Sequence, residues 1–184
     1  MRASTGRRCP WGILQAMRHE LIGVADLRLD LKNPRHEPVP GQREAINALL
    51  ADSVERDKFM KLADDIVARG LNPIEELLVL QEGNSLSYTV IEGNRRVAAL
   101  KLLANPELAK EYPALRDRIK KIATGATVIP DQARCAVIAT REEGKHWQTL
   151  RHGGERGGVG VIPWSTEATH RFAGQKGDSS GSRG

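Results

Sequence analysis

One short segment of the sequence places two cations at the predicted start of a helix. A β-type run ending at Glu92 is followed by Gly93, Asn94, Arg95 and Arg96, and then by apolar residues at helical spacing. A helix N-terminus already carries roughly half a positive charge, so each arginine there costs a few tenths of a kcal/mol unless an anion is bound. Glycine lets a ligand approach the backbone, and arginine can bind phosphate through two hydrogen bonds. The segment therefore predicts a site for a phosphate group or a nucleic-acid backbone. The alternative is a site-free surface, with one arginine solvated and the other paired with Glu92.

The composition fits a protein of one domain with a moderate positive charge. Of the 184 residues, 40% are hydrophobic and 28% are charged, and the net charge is +5. This charge favours an anionic partner, although both signs are interspersed. Cys9 and Cys135 lie far apart and the histidines are scattered, so we expect neither a disulfide nor a metal site. No apolar run approaches the roughly 20 residues that span a bilayer, so we expect a cytoplasmic protein with no membrane partner.

Hydrophobic periodicity predicts an α/β (α+β) protein in which strands and helices are interspersed. The predicted strands are 19–30, 77–80, 86–91, 123–130 and 135–138. The predicted helices are 45–50, 53–69, 94–103, two short pieces after 106, 141–151 and 165–172. The strands at 77–80 and 86–91 form a hairpin that leads directly into the arginine-bearing helix.

We expect four parts along the chain. Residues 1–18 are predicted to be a disordered extension or an upstream mis-start before Met17, and residues 19–138 form the main domain. Residues 139–172 form a helical extension with a glycine-rich loop, in which Trp147 and Trp164 are expected to anchor the helices in a core. Residues 173–184, rich in glycine, serine and charge, are predicted to be a disordered tail.

Three blocks of the sequence, in this order, resemble the N-terminal domain of ParB-like proteins. They are Asn33-Pro34-Arg35, the stretch from Leu62 to Val79, and the stretch from Glu92 to Ala99. The resemblance covers about residues 19–105. It implies the ParB/sulfiredoxin fold, a small mixed sheet with surrounding helices, and here a helical C-terminal extension would follow.

The resemblance also implies a ligand. Domains of this family bind a nucleotide, in several members CTP, so it implies CTP with Mg²⁺ as the ligand of this chain. The resemblance further implies that the protein acts as a nucleotide-dependent module in DNA-associated machinery, that it has DNA as a partner and that it forms a homodimer. The phosphate and base contacts, carried over by matching position, are Gly70, Pro73, Ile74, Gly93, Asn94, Arg95 and Arg96.

The sequence departs from the family pattern at Asn94, where the family has glutamate. An amide cannot serve as a carboxylate base or as a metal ligand, so the pattern supports binding more than hydrolysis. Glu92 is the candidate catalytic carboxylate for a nucleoside-triphosphatase activity, with CTP as the substrate.

Two other functions stay open at this point. In the first, the protein is a non-catalytic DNA-backbone binder in which Arg95, Arg96 and the cations of 141–156 contact phosphates. No helix-turn-helix pattern follows residue 105, so sequence-specific reading of DNA is not expected. In the second, the protein is a ParB-like nuclease, for which Asp64, Asp65 and Glu92 are the acidic residues near the three blocks.

Overall fold

The computed structural model describes residues 17–83 and 85–174, apart from the side chain of Arg156. The chain divides into two compact units, the first ending at Gly144 and the second beginning at Lys145. The predicted extension before residue 17 and the predicted tail after residue 174 lie outside the described residues. Arg18 already belongs to the first strand.

A mixed sheet of five strands forms the centre of the first unit. Its strands are β1 (Arg18–Gly23), β2 (Leu27–Leu29), β3 (Leu77–Gln81), β4 (Tyr88–Glu92) and β5 (Gln132–Ile138). They lie in the order β1-β5-β3-β4-β2. The pairs β1–β5 and β3–β4 are antiparallel, whereas β3–β5 and β2–β4 are parallel. The predicted α/β class with a mixed sheet is confirmed, as is the β3–β4 hairpin.

Helices follow the predicted positions closely. They are α1 (Gln42–Leu49), α2 (Ser53–Arg69), α3 (Asn94–Ala104), α4 (Pro113–Gly125), α5 (Arg141–His152) and α6 (Thr166–Gly174), with 3₁₀ turns at Pro106–Ala109 and Arg156–Gly158. Asp52 caps α2 by accepting a hydrogen bond from the Glu55 N–H. Asn105 ends α3, and its side chain accepts a hydrogen bond from the Glu107 N–H of the next 3₁₀ turn. The start of α2 and the end of α3 are therefore specified by the local sequence.

Both faces of the sheet are apolar, and β3 shows how the two cores are separated. Leu77 and Val79 belong to the main core, which also contains the buried residues of α1 to α4. Leu78 and Leu80 belong to a smaller cluster on the opposite face. Alternate residues of a strand point to opposite faces, so the continuous apolar run of β3 serves both cores.

Two of the predicted strands are wrong. Residues 19–30 do not form one strand, because a turn in which the Asp26 N–H donates to the Gly23 carbonyl separates β1 from β2. The apolar alternation continues on both sides of that turn, and it therefore conceals the break. Residues 123–130 do not form a strand either, because α4 continues to Gly125 and Val128 is exposed.

The second unit contains the rest of α5, a 3₁₀ turn and α6. Trp147 is 43% exposed and Trp164 is 63% exposed, so the prediction that they anchor a core is wrong. Trp164 instead packs edge-on against Phe172, with 5.0 Å between ring centroids. None of the residues of α6 is buried, so the described part of this unit offers no apolar interior to receive an indole ring.

In the part of the chain that the structure describes, no helix is both long and apolar enough to cross a bilayer.

Candidate anion-binding site

The start of α3 is capped by a buried glycine. Gly93 is the N-cap residue, with φ 99° and ψ 16° in the left-handed region, and no side chain caps the helix at this position. The first N–H groups of a helix have no partner within the helix. The positive end of the α3 dipole therefore lies at Gly93, where a negative charge would be stabilised.

Arg95 and Lys58 lie near one carboxylate, that of Glu55. Arg95 Nη1 lies 3.9 Å from Glu55 Oε2, which is too long for a hydrogen bond, and Lys58 Nζ lies 2.7 Å from Glu55 Oε1. The hydrogen bond from Lys58 lowers the pKa of Glu55, and the charges of Arg95 and Arg35 lower it further. Lys58 from α2 and Arg95 from α3 therefore flank one half-buried carboxylate at the first turn of α2.

Arg96 has a different role from Arg95. Its Nη1 donates to the Glu75 carbonyl at 2.7 Å and lies 3.6 Å from Glu75 Oε2. The side chain is 12% exposed, against 28% for Arg95. Arg96 therefore ties the turn before β3 to the first turn of α3, and Arg95 is the more accessible of the two arginines.

The turn that Arg96 holds contains the other predicted contacts. Gly70 ends α2 with φ 80°, and Pro73 follows in an exposed turn. The Ile74 N–H donates to Asn72 Oδ1, and the Ile74 side chain is 89% exposed. The structure therefore brings the second and third sequence blocks together through Arg96, next to the Gly70–Ile74 turn.

Asn94 is buried, and its amide serves the fold. Its Nδ2 donates to the Val90 carbonyl at 2.7 Å, and its Oδ1 accepts the Asp30 N–H at 2.9 Å. The side chain therefore fastens the end of β2 to the start of α3. An asparagine is required here as both donor and acceptor, which glutamate could not supply in its ionised form.

One ion pair at this end of the sheet was not anticipated from the sequence. Asp30 is 2% exposed and receives two hydrogen bonds from Arg141, at 2.7 and 2.8 Å. Burial raises the pKa of Asp30, but the Arg141 hydrogen bonds, the Lys32 N–H and nearby positive charges together lower it below its usual range. The pair joins residues 111 positions apart, and no local pattern marks such a contact.

The acidic residues near the site do not form a metal cluster. Glu92 ends β4 directly before Gly93, and its catalytic role stays a prediction. Asp64 and Asp65 are exposed on α2, where Asp65 pairs with Arg69. Among the described residues, no group of three His, Cys, Asp or Glu side chains could hold a metal ion. Mg²⁺ would therefore have to arrive bound to phosphates, which is how Mg²⁺ commonly enters nucleotide sites.

Cys135 lies in β5 and is fully buried. Burial raises the pKa of its thiol to about 12. A thiol with such a pKa is almost entirely protonated at neutral pH and is a poor nucleophile. The position of Cys135 is consistent with a structural role.

The two arginines of α3 are expected to differ in what their removal costs. Arg96→Ala should lower the free energy of unfolding by about 1–3 kcal/mol, because the partly buried Glu75 carbonyl loses its charged donor. Arg95→Ala should change it by no more than about 0.5 kcal/mol, because its contact with Glu55 is long and partly exposed. Urea unfolding followed by circular dichroism measures both values. Equal losses for the two variants would contradict the division of roles.

Comparisons with known proteins find similar solved structures but no similar sequence. No family model matches the sequence, and no curated protein matches it significantly. Among solved structures, the fold is similar to the C-terminally truncated chromosome-partitioning protein ParB from Caulobacter crescentus complexed with CTP-gamma-S. The TM-score is 0.40 and the sequence identity is 12%, over 73% of this chain and 54% of that chain. The chain thus spans about half the length of this neighbour, and we base the functional proposal on the residues of the chain itself.

Proposed function

We propose that this protein binds a nucleoside triphosphate at the surface formed by the first turn of α3, Arg95 and Arg35. The observation that carries the proposal is the position of Arg95, in the first turn of a helix without a side-chain cap and 3.9 Å from Glu55, a carboxylate whose pKa the charge of Arg35 also lowers. An anion stabilises a helix N-terminus, and an arginine can bind phosphate through two hydrogen bonds, so a phosphate chain suits this position.

The contacts divide between phosphate and base. In the proposal, the α3 N–H groups and the guanidinium of Arg95 bind phosphate oxygens. The exposed Ile74 and Pro73 offer an apolar surface to the base, and Gly70 allows the turn to bend around it. Asn94 supports the start of α3 without contacting the ligand, because its amide is already hydrogen-bonded to Asp30 and Val90. Arg96 holds the Gly70–Ile74 turn against α3.

CTP is the first nucleotide to test, because the three sequence blocks resemble a family in which several members bind CTP. Mg²⁺ would bind with the phosphates, where its charge offsets theirs. Hydrolysis would need a carboxylate close to the terminal phosphate, and Glu92 is the residue proposed for it. A role in DNA-associated machinery, and a homodimer, belong to the same proposal.

Calorimetric titration with CTP, ATP and GTP in the presence of Mg²⁺ tests the proposal. Arg95→Ala should weaken binding of the preferred nucleotide by roughly 10- to 150-fold, the equivalent of losing a charge-assisted hydrogen bond worth about 1.5–3 kcal/mol. The matched control is Arg118→Ala, which removes an exposed arginine from α4 and should leave the affinity unchanged. No binding of any of the three nucleotides to the wild type would refute the proposal.

The dependence on salt separates this function from DNA-backbone binding. Affinity for a DNA duplex should fall steeply, by roughly 10³ or more between 50 and 200 mM salt if six or more phosphates are contacted. A nucleotide held by a few groups should weaken far less over that range. Steep loss with duplex DNA, combined with no nucleotide binding, would favour the DNA-backbone alternative.

A further inference from the structure

The Asp30–Arg141 pair joins two helices through their first residues. Arg141 is the first residue of α5, and both of its Nη atoms donate to the Asp30 carboxylate. The backbone N–H of the same Asp30 donates to Asn94 Oδ1, and Asn94 is the first residue of α3. The start of α5 and the start of α3 are therefore connected through one buried residue.

The first turn of α5 is itself closed by a reciprocal cap. Glu143 Oε2 accepts the N–H groups of Ala139 and Thr140, and the Glu143 N–H donates to Thr140 Oγ1. This arrangement is a capping box, which fixes the direction in which the chain enters the helix. Further along, a Cβ at Gly144 would lie 2.8 Å from Ile138 Cδ1 and 2.9 Å from Ile91 Cγ2, so the first turn of α5 packs directly on the sheet. Arg141 is thus held at a defined position.

Loss of the Arg141 guanidinium would change the structure at the start of α3. Asp30 would keep its charge while 2% exposed, with the Lys32 N–H as its other hydrogen-bond donor. A buried carboxylate without a counter-ion moves toward water or takes up a proton. Either change displaces the backbone of Asp30, whose N–H holds Asn94.

We propose that Arg141 is a positioning residue for the start of α3: docking of the first turn of α5 onto Asp30 holds Asn94, and with it the anion site, in place. The link itself is a property of the ligand-free protein. Its consequence for nucleotide affinity rests on the proposed function, because a ligand at α3 and a docked α5 would favour each other. Such coupling acts equally in both directions.

Amide hydrogen exchange in the ligand-free protein tests the link. The Asp30 N–H, bonded to Asn94, and the Val97 N–H, bonded to the Gly93 carbonyl, report directly on it. Arg141→Ala should accelerate exchange of both amides at least tenfold, while the Arg116 N–H of α4, bonded to the Tyr112 carbonyl, changes by less than threefold. Acceleration restricted to α5, with Asp30 and Val97 unchanged, would overturn the proposal.

Two further variants separate positioning from general destabilisation. Arg141→Lys keeps the charge but not the two parallel hydrogen bonds, so exchange at Asp30 and Val97 should return part of the way to the wild-type rate. Arg134→Ala removes an exposed arginine that pairs with Glu76, and it should leave both amides unchanged. Equal acceleration at Asp30, Val97 and Arg116 in Arg141→Ala, without rescue by lysine, would show simple loss of stability and overturn the proposal.

Repeating the hydrogen-exchange experiment with CTP distinguishes this inference from the proposed function. If CTP binds, it should slow exchange of the Gly144 N–H, which donates to the Thr140 carbonyl, and Arg141→Ala should weaken CTP binding by the same factor. Binding of CTP with no change at Gly144 and no loss in Arg141→Ala would refute the coupling while leaving the site intact. If CTP does not bind, the proposed function fails, and the ligand-free exchange rates alone decide the link.

Discussion

Gly93→Ala is expected to lower the free energy of unfolding by about 2–5 kcal/mol. The left-handed φ of 99° at this position costs an L-residue about 1–2 kcal/mol. An added Cβ would also overlap Leu77 Cδ2 in the main core and would lie 3.1 Å from Arg96 Nη2. Overpacking of this kind adds about 1–3 kcal/mol. Urea unfolding monitored by circular dichroism gives the loss directly.

Gly83→Ala is the matched control for that substitution. Gly83 also has a positive φ, 61°, but a Cβ there would meet nothing within 4 Å. Its loss should therefore be limited to backbone strain of about 1–2 kcal/mol. Equal losses of free energy in the two variants would mean that the close contact between Gly93 and Leu77 adds nothing to the cost of the substitution. The account of the α3 start would then be wrong.

Arg141→Ala is expected to cost about 3 kcal/mol, at the lower end for a broken buried pair because Arg141 itself is partly exposed. Most of this cost comes from leaving the Asp30 charge buried without its partner. Adding Asp30→Asn to Arg141→Ala should therefore recover part of the loss, because it removes the stranded charge. A double-mutant cycle from urea unfolding measures this coupling. Simple additivity of the two single losses would contradict the pairing.

The pH dependence of stability is a second test of the Asp30–Arg141 pair. The pKa of Asp30 is lower in the folded protein than in the unfolded chain, so its ionised form adds stability above the unfolded pKa. That contribution is lost as the pH falls through the lower, folded pKa. The wild type should therefore lose stability below about pH 4 by more than Asp30→Asn does. Parallel acid profiles for the two proteins would show that Asp30 does not carry this contribution.

The sequence predicts the elements that have local signals. Asp52, Gly70 and Asn105 mark helix ends, and Gly93 marks the entry to α3; the structure has each helix boundary at these residues. The mixed α/β class follows from the same periodicity. In contrast, the turn at Asp26 leaves the apolar alternation intact, so the separation of β1 from β2 could not be predicted.

The candidate site is predictable in part for a related reason. The start of α3 at Gly93 follows from that glycine and the residues after it. The different roles of Arg95 and Arg96 do not, because they depend on Glu55 and Glu75, which approach from elsewhere in the chain. The Asp30–Arg141 pair depends on tertiary contact alone.

The most direct test of the central claim is a titration of the ¹⁵N-labelled protein with CTP and Mg²⁺, followed by amide chemical shifts. The account predicts saturable shifts at Gly93, Arg95 and Arg96, smaller shifts in the Gly70–Ile74 turn, and none at Arg118. Arg95→Ala should reduce the shifts at the same nucleotide concentration. Saturable shifts confined to another part of the chain, or no shifts at millimolar CTP, would contradict nucleotide binding at the start of α3.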